Sequence, residues 1–310
     1  MNGMMQHFTV LRSEERPLDF ASVLDIVTRE LVFRNAEAHV GEDTLAITVG
    51  GTRVLMMARR TRYEAPDDGL APLRVWEPSA ALGAHVAHVA MTVTPRDASE
   101  LAALLAMKVG LTLAAAVSKA SGDVLAVHSR PNDVYMPPDV VGTVLAAFAA
   151  GEVPHEILVQ YAPYHPQNDG LAGTVGMMTK GLTPLTGFEI AVAPTLTGRS
   201  ADAYHVAAAA VRRQLVEGVA LRDGETMQTA TGAVRVRLVA EWLIPGVPMA
   251  VLLPAGALVE EETLCVRAEL VEAMAADVAP GPAPRRRGLL TRLLQAGLRR
   301  DRRLGGGAAV

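Results

Sequence analysis

The run Leu101 to Val117, LAALLAMKVGLTLAAAV, limits the fold more than any other segment. Its 17 residues carry one charge, Lys108, and one glycine, Gly110. A bilayer span needs roughly 20 nearly uninterrupted apolar residues. The run therefore reads as a helix buried inside protein. The segment before it, HVAHVAMTV from His85, reads as a strand with two mostly apolar faces, as in a central strand. Thr94-Pro95 followed by Asp97 reads as the helix start, with Thr as N-cap, Pro at the first position and an acid in the first turn. The helix is expected to reach Lys119, with a turn at Ser121-Gly122-Asp123 and a strand over Val124 to His128.

The flanking sequence alternates strands and helices. His7 to Arg12 alternates as a short strand, and Pro17 suits a first helical residue. Phe20, Val23, Leu24, Val27 and Leu31 then recur at helical spacing as far as Phe33. Thr44 to Val49 and Arg53 to Ala58 flank Gly50-Gly51, a two-residue hairpin signal. Arg59 to Pro72 is charged and turn-rich and reads as an exposed loop. Asp133 to Pro138 reads as a loop, and Pro138 to Ala150 as a helix ended by Gly151. Further strands are expected at Ile157–Tyr161, Phe188–Ala193, Val234–Ala240 and Met249–Leu253, the last closing the sheet. A helix is expected at Ser200–Glu217 and a turn at Arg222-Asp223-Gly224. Strand–helix–strand recurs around 86–128 and 188–239 with little residue identity. Strands joined both by hairpins and across helices point to an α+β fold, with mixed or antiparallel sheets packed by helices. Four segments are expected: an α+β segment 1–74, an α+β core 75–255, an acidic helix 256–279 and a Pro/Gly linker with basic tail 280–310.

Charge is divided along the chain. From Pro280 onward eight arginines face one aspartate, a net +7, which leaves −11 for the rest of a chain whose total is −4. An acidic body disfavours nucleic-acid binding, and the arginine tail offers contact without sequence reading. In that tail Leu289, Leu290, Leu293, Leu294 and Leu298 share one helical face, with Arg292, Arg299 and Arg300 around it. This pattern suits peripheral contact with a membrane or a partner; the alternative, which the sequence favours, is a frayed, disordered tail, with Gly305-Gly-Gly loose at its end. The single cysteine, Cys265, excludes an intramolecular disulfide and cysteine-based zinc clusters. With no basic n-region and apolar core at the N-terminus, the expected location is the cytoplasm.

Several pieces together carry a family resemblance: Val75-Trp76 before HVAHVAMTV, VLAVHSRPNDVYMPPDVV (124–141), TKGLTPLTGFEIAVAP (179–194), and LRDGETM (221–227) followed by VRVRL. On these the chain resembles the bacterial family catalogued as domain of unknown function 4261, over about residues 75–253. It departs from that pattern at 128–133, where HSRPND replaces an aromatic and a Ser-Gly turn. The resemblance implies an architecture and brings no established activity.

Motifs for known chemistries are few. His85 and His88, three apart on one strand, would face opposite ways and could not share a metal. HExxH, a second cysteine and an aspartate-rich calcium loop are missing, so neither a metal nor a cofactor is expected. Gly173-Thr-Val-Gly-Met-Met-Thr-Lys-Gly lacks the GxxxxGK[ST] order of a phosphate loop and reads as a tight turn or bulge. The remaining candidates are two loops of related composition, His128–Tyr135 and Tyr164–Asp169. Catalytic candidates there are His128, Asp133, His165 and Asp169; ligand-binding candidates are Tyr135, Tyr161, Tyr164 and Asn168. Contact through the tail would use Leu289, Arg292, Leu293 and Arg299.

Three functions follow as expectations. The first is a non-catalytic binding or accessory protein, immunity-like, with a protein partner. The second is a hydrolase or transferase with a His/Asp site in the two loops. The third is tail-mediated docking to a membrane or partner.

Overall fold

The computed structural model describes residues 5–30, 37–64, 76–165, 174–196, 198–259 and 264. The fold is α+β, with two mostly antiparallel sheets. The described residues fall into two compact units, which divide between Pro154 and His155.

The first unit contains β1 (Gln6–Arg12), α1 (Phe20–Glu30), β2 (Glu37–Val40), β3 (Thr44–Val49), β4 (Thr52–Arg59), α2 (Ser79–Ala84), β5 (Ala87–Thr94), α3 (Glu100–Ser121), β6 (Val124–Ser129), a 3₁₀ turn (Arg130–Asn132), β7 (Val134–Met136) and α4 (Pro138–Ala150). Its seven strands run in the order β2-β3-β4-β5-β1-β6-β7, every pair antiparallel. This sheet takes strands from both sides of residue 75, so the boundary expected there runs through a sheet instead of between domains.

α3 is the apolar run, buried as expected. Among the described residues it alone is long and apolar enough to cross a membrane, yet 72% of that window is buried within the protein. It packs against α1, α4 and strands β1, β5 and β6. Gly110 admits the ring of Phe8, since a Cβ there would lie 2.4 Å from it. Gln6 Nε2 donates to Ala103 O at 2.8 Å. The even-numbered side chains of β1 therefore face the helices, and His7, Thr9 and Leu11 face away.

The helix starts differ from expectation. Ser99 caps α3, accepting from Ala102 N–H at 3.2 Å, while Thr94 ends β5 opposite Arg53. The ladder pairing at Thr94 holds its backbone extended, so capping waits five residues. Pro17 likewise precedes α1, whose first amides, Ala21 and Ser22, are taken by the Asp19 carboxylate. The glycine signals hold. Gly50 (φ 55°) and Gly51 (φ 85°) make the β3–β4 hairpin, and Gly122 and Gly151 end α3 and α4 in the left-handed region. β5 alternates buried and half-buried residues, so its second face is only partly covered.

The second unit contains α5 (His155–Leu158), β8 (Gln160–Tyr164), β9 (Gly176–Lys180), α6 (Thr183–Thr186), β10 (Glu189–Val192), α7 (Ser200–Leu215), β11 (Thr226–Thr229), β12 (Gly232–Val239) and β13 (Met249–Pro254). The strand expected at Ile157 starts three residues later, because 155–158 form a helical turn. The order is β11-β12-β13-β10-β9-β8, and only β10–β13 is parallel. β13 thus lies inside the sheet and does not close its edge. α7 packs on β8, β9 and β10. The opposite face carries a core of Ala162, Met178, Ala191, Val251 and Leu264, among others. The two strand–helix–strand crossovers differ in direction. β5 and β6 are both antiparallel to β1 between them, whereas β10 and β12 run oppositely around β13. Of the expected acidic helix, Leu258 and Val259 are non-helical and 265–279 lie outside the described residues.

Candidate functional site

Strand alternation gives the first sheet a second, open face. Register places Thr94, Thr92, Ala90 and His88 of β5 there, with His7, Thr9 and Leu11 of β1 and His128 of β6. One end of this face is covered by a small core of Leu11, Ala81, Ala126 and Tyr135, packed by Tyr63 and Trp76. The other end, over β2–β5, holds a shallow open groove of about 640 Å³, lined by Glu37, His39, Thr48, Arg53, Leu55 and Thr92 among others.

The segment 128–135, expected as a loop, is a hairpin in which His128 pairs with Tyr135. Three residues, Val134–Met136, suffice for a strand because the β6 edge supplies their partners. The His128 and Tyr135 rings stack with centroids 4.0 Å apart and planes 1° from parallel. The hairpin turns through Arg130–Asn132, and Asp133 sits at φ 50°, the one non-glycine with positive φ among the described residues. Aspartate tolerates that region better than most side chains. The turn brings Asp133 Oδ1 to 3.0 Å from His128 Nε2. On the other side, the Tyr63 hydroxyl lies 2.9 Å from His128 Nδ1. A carboxylate only accepts, so the neutral imidazole places its proton on Nε2 and accepts the Tyr63 proton at Nδ1. His128 is 1% exposed.

The electrostatics of this end follow from burial. Burial raises the pKa of Tyr63, against a hydrogen bond with Thr9 and the charge of Arg130. Burial also lowers His88, and it lowers His7 with help from Arg130. His85 and His88 do not share a strand. His85 caps α2, with Nε2 accepting from Tyr63 N–H at 2.9 Å, and His88 Nδ1 lies 2.8 Å from Thr61 O. Among the described residues no group of three or more His, Cys, Asp and Glu is placed to hold a metal.

The second expected loop belongs to the other unit. Asn168 and Asp169 lie outside the described residues, and His165 Nδ1 lies 3.1 Å from Thr174 O. The tyrosines here are packed inward. Tyr161 is 4% exposed and edge-on to Tyr204, with its hydroxyl unpartnered among the described residues. Tyr164 donates to Val192 O at 3.0 Å and meets Trp242 edge-on. Its ring crosses Gly176, its register partner, where a Cβ would lie 2.2 Å away. Of the segment 173–181, expected as a tight turn or bulge, Gly176–Lys180 instead form strand β9, because β8 and β10 pair with them. The chain turns only at its end, at Gly181 (φ 94°), where backbone amides hold an anion belonging to the protein. The buried Glu189 carboxylate accepts from Gly181, Leu182 and Thr183 N–H and from both Thr179 and Thr183 hydroxyls. In LRDGETM, Asp223 accepts from Arg237 Nε at 3.0 Å and Leu238 N–H at 2.8 Å, and Glu225 pairs with Arg213 at 2.8 Å.

Tyr63, His7 and Arg130 were not among the expected site residues. Tyr63 lies in a segment whose charge and turn residues read as plain loop, and its partner is 65 positions away. Only its rarity, one of five tyrosines, could have drawn notice. Leu289, Arg292, Leu293 and Arg299 lie outside the described residues. Compared with known families, curated proteins and solved structures, the chain matches none.

Proposed function

We propose that this protein acts by binding another protein, as an accessory or immunity-like partner, and that the open face of its first sheet is the contact surface. The observation that carries this reading is the occupation of His128. Both its ring nitrogens are engaged by protein groups, and its ring is buried between Tyr135 and Tyr63. A general base must reach the proton it removes, and here no nitrogen faces outward. What the face does offer is an open groove with Leu55 49% exposed in its lining.

The hydrolase or transferase alternative uses the same Asp133–His128–Tyr63 chain, with the Tyr63 hydroxyl as the atom offered to substrate. The raised pKa of Tyr63 keeps that hydroxyl protonated and poor as a nucleophile, and its one proton is already given to His128 Nδ1, so towards a substrate it offers only lone pairs. We also propose kinship with family 4261 over 75–253. A member's structure with no carboxylate bound by its Thr-x-Gly-Leu-Thr turn would count against it.

The test is capture of the partner from the native cell with the full chain, followed by affinity measurement with purified components. Leu55→Glu should weaken binding at least about tenfold, the scale of one buried anchor, with unchanged thermal stability. Undiminished affinity would refute the surface. Turnover of an ester or phosphoester that His128→Ala abolishes would refute the non-catalytic reading.

A further inference from the structure

We propose that Arg130, His7 and Thr92 form a seat for an anionic group, a carboxylate or a phosphate, at the end of the groove on the open face. The inference rests on that face being the binding surface and names the chemistry it recognises.

The juxtaposition follows from register. β1 and β6 pair Phe8 with Ser129 and Thr9 with His128; the chain then leaves the ladder at Arg130, in a 3₁₀ turn that packs against β1, whose next residue outward is His7. On its other side His7 pairs with Thr92, whose Oγ1 lies 3.3 Å from His7 Nδ1. The alternation that points His128 to the open face points His7 and Thr92 there too. Thr92 also lines the groove, so the seat and the groove are continuous.

Charge indicates what the seat lacks. Arg130 is exposed, and no carboxylate is paired with it among the described residues. Its charge is felt by His7 and by Tyr63, pulling both pKa values downward, although burial leaves Tyr63 raised on balance. The nearest acid on this hairpin, Asp133, is turned to His128 Nε2. The Arg130 charge disfavours the protonated form of His7, and an anion bound there would offset it. When Thr92 donates to Nδ1, His7 Nε2–H is left to donate outward, next to the two-pronged guanidinium. That fork fits either a carboxylate or a phosphate. Other titratable groups facing this region are Tyr63, His88, His128 and Asp133.

The seat is tested on the full chain by following the His7 ring resonances by NMR while adding inorganic phosphate, acetate or a glutamate-rich peptide. At least one probe should give saturable shifts and raise the His7 titration midpoint, because a nearby anion favours the imidazolium. Arg130→Ala should weaken that binding at least about tenfold, and Arg130→Lys less, since lysine keeps the charge and loses the fork. Saturation by phosphate alone assigns a small phosphorylated ligand; saturation by acetate and the peptide assigns a partner's acidic side chain. The seat is overturned if no probe saturates by about 20 mM, weaker than any useful affinity, or if Arg130→Ala binds as tightly as wild type. Its failure is distinct from failure of the binding reading, because Leu55→Glu would still weaken partner capture with the anion result negative.

Discussion

Glu189 holds Thr183 twice, its Oε1 accepting 2.8 Å hydrogen bonds from the Thr183 amide and from the Thr183 hydroxyl. Gly181, Leu182 and Thr179 complete a shell of five donors around one buried carboxylate. A glutamine at 189 presents one acceptor and one donor, so some of these N–H groups would face another donor. Buried donors left unpaired cost about 1–3 kcal/mol each. Glu189→Gln should therefore lower the unfolding free energy by about 3 kcal/mol in urea. A loss below about 0.5 kcal/mol would mean that the carboxylate does not organise the 179–189 turn.

Tyr164 can lie across the sheet only because residue 176 has no side chain. Gly176→Ala puts a methyl into the phenol ring, so the ring must swing out and give up its bond to Val192 O. The expected cost is about 2–3 kcal/mol, at the upper end for overpacking. The double mutant Gly176→Ala/Tyr164→Ala should lose much less than the sum of the singles, since removing the ring removes the clash. Additive losses would show that the two positions do not interact.

The legible part of the fold was whatever local chemistry dictates. The Gly50-Gly51 hairpin, the glycine ends of α3 and α4, and the burial of 101–117 needed no knowledge of distant residues. Thr94 misled because capping preference and strand pairing compete for one residue, and its ladder partner Arg53 is remote in sequence. Val134–Met136 looked like a loop because its neighbours are turn-formers. It is a strand only because β6 lies beside it. At the candidate site His128 and Asp133 were legible, being five residues apart in one hairpin. Tyr63 and His7 were not, because only the tertiary fold brings them to His128 and Arg130.

Arg12 and Asp123 form a buried ion pair at 2.9 Å, with side-chain exposures of 3% and 2%. Burial alone would raise the Asp123 pKa; hydrogen bonds from Arg12 and Ser121 and the charges of Arg12 and Arg16 outweigh it and hold the value down. A depressed carboxyl pKa contributes stability that is present above the unfolded value of about 3.9 and lost as pH falls through the lower folded value. Asp123→Asn should cost about 3 kcal/mol at pH 7, because it leaves Arg12 buried and uncompensated. The gap between wild type and variant should hold down to about pH 3.9 and shrink as pH falls below it, through the lower folded value at which wild type also loses the charge. Denaturant midpoints across that range decide the matter. An unchanged gap would place the pH dependence elsewhere.

Tyr161 buries a hydroxyl that meets no hydrogen-bond partner among the described residues, while its ring packs edge-on against Tyr204 at 4.9 Å. Burial pushes its pKa up, and the nearby Tyr204 and Glu156 add to the effect. The phenol therefore stays protonated at any ordinary pH and carries a desolvation cost that no hydrogen bond from the described residues offsets. Tyr161→Phe keeps the ring and its contact and removes that cost, so stability should stay level or rise by up to about 1 kcal/mol. As a ligand contact the hydroxyl would behave otherwise: the Tyr161→Phe substitution would leave the isolated protein unaffected and weaken a bound molecule. A loss of more than about 1 kcal/mol in the isolated protein would show that the hydroxyl has a partner, an internal water or an outer residue. Thermal melts of the two proteins, with and without the captured partner, separate these outcomes.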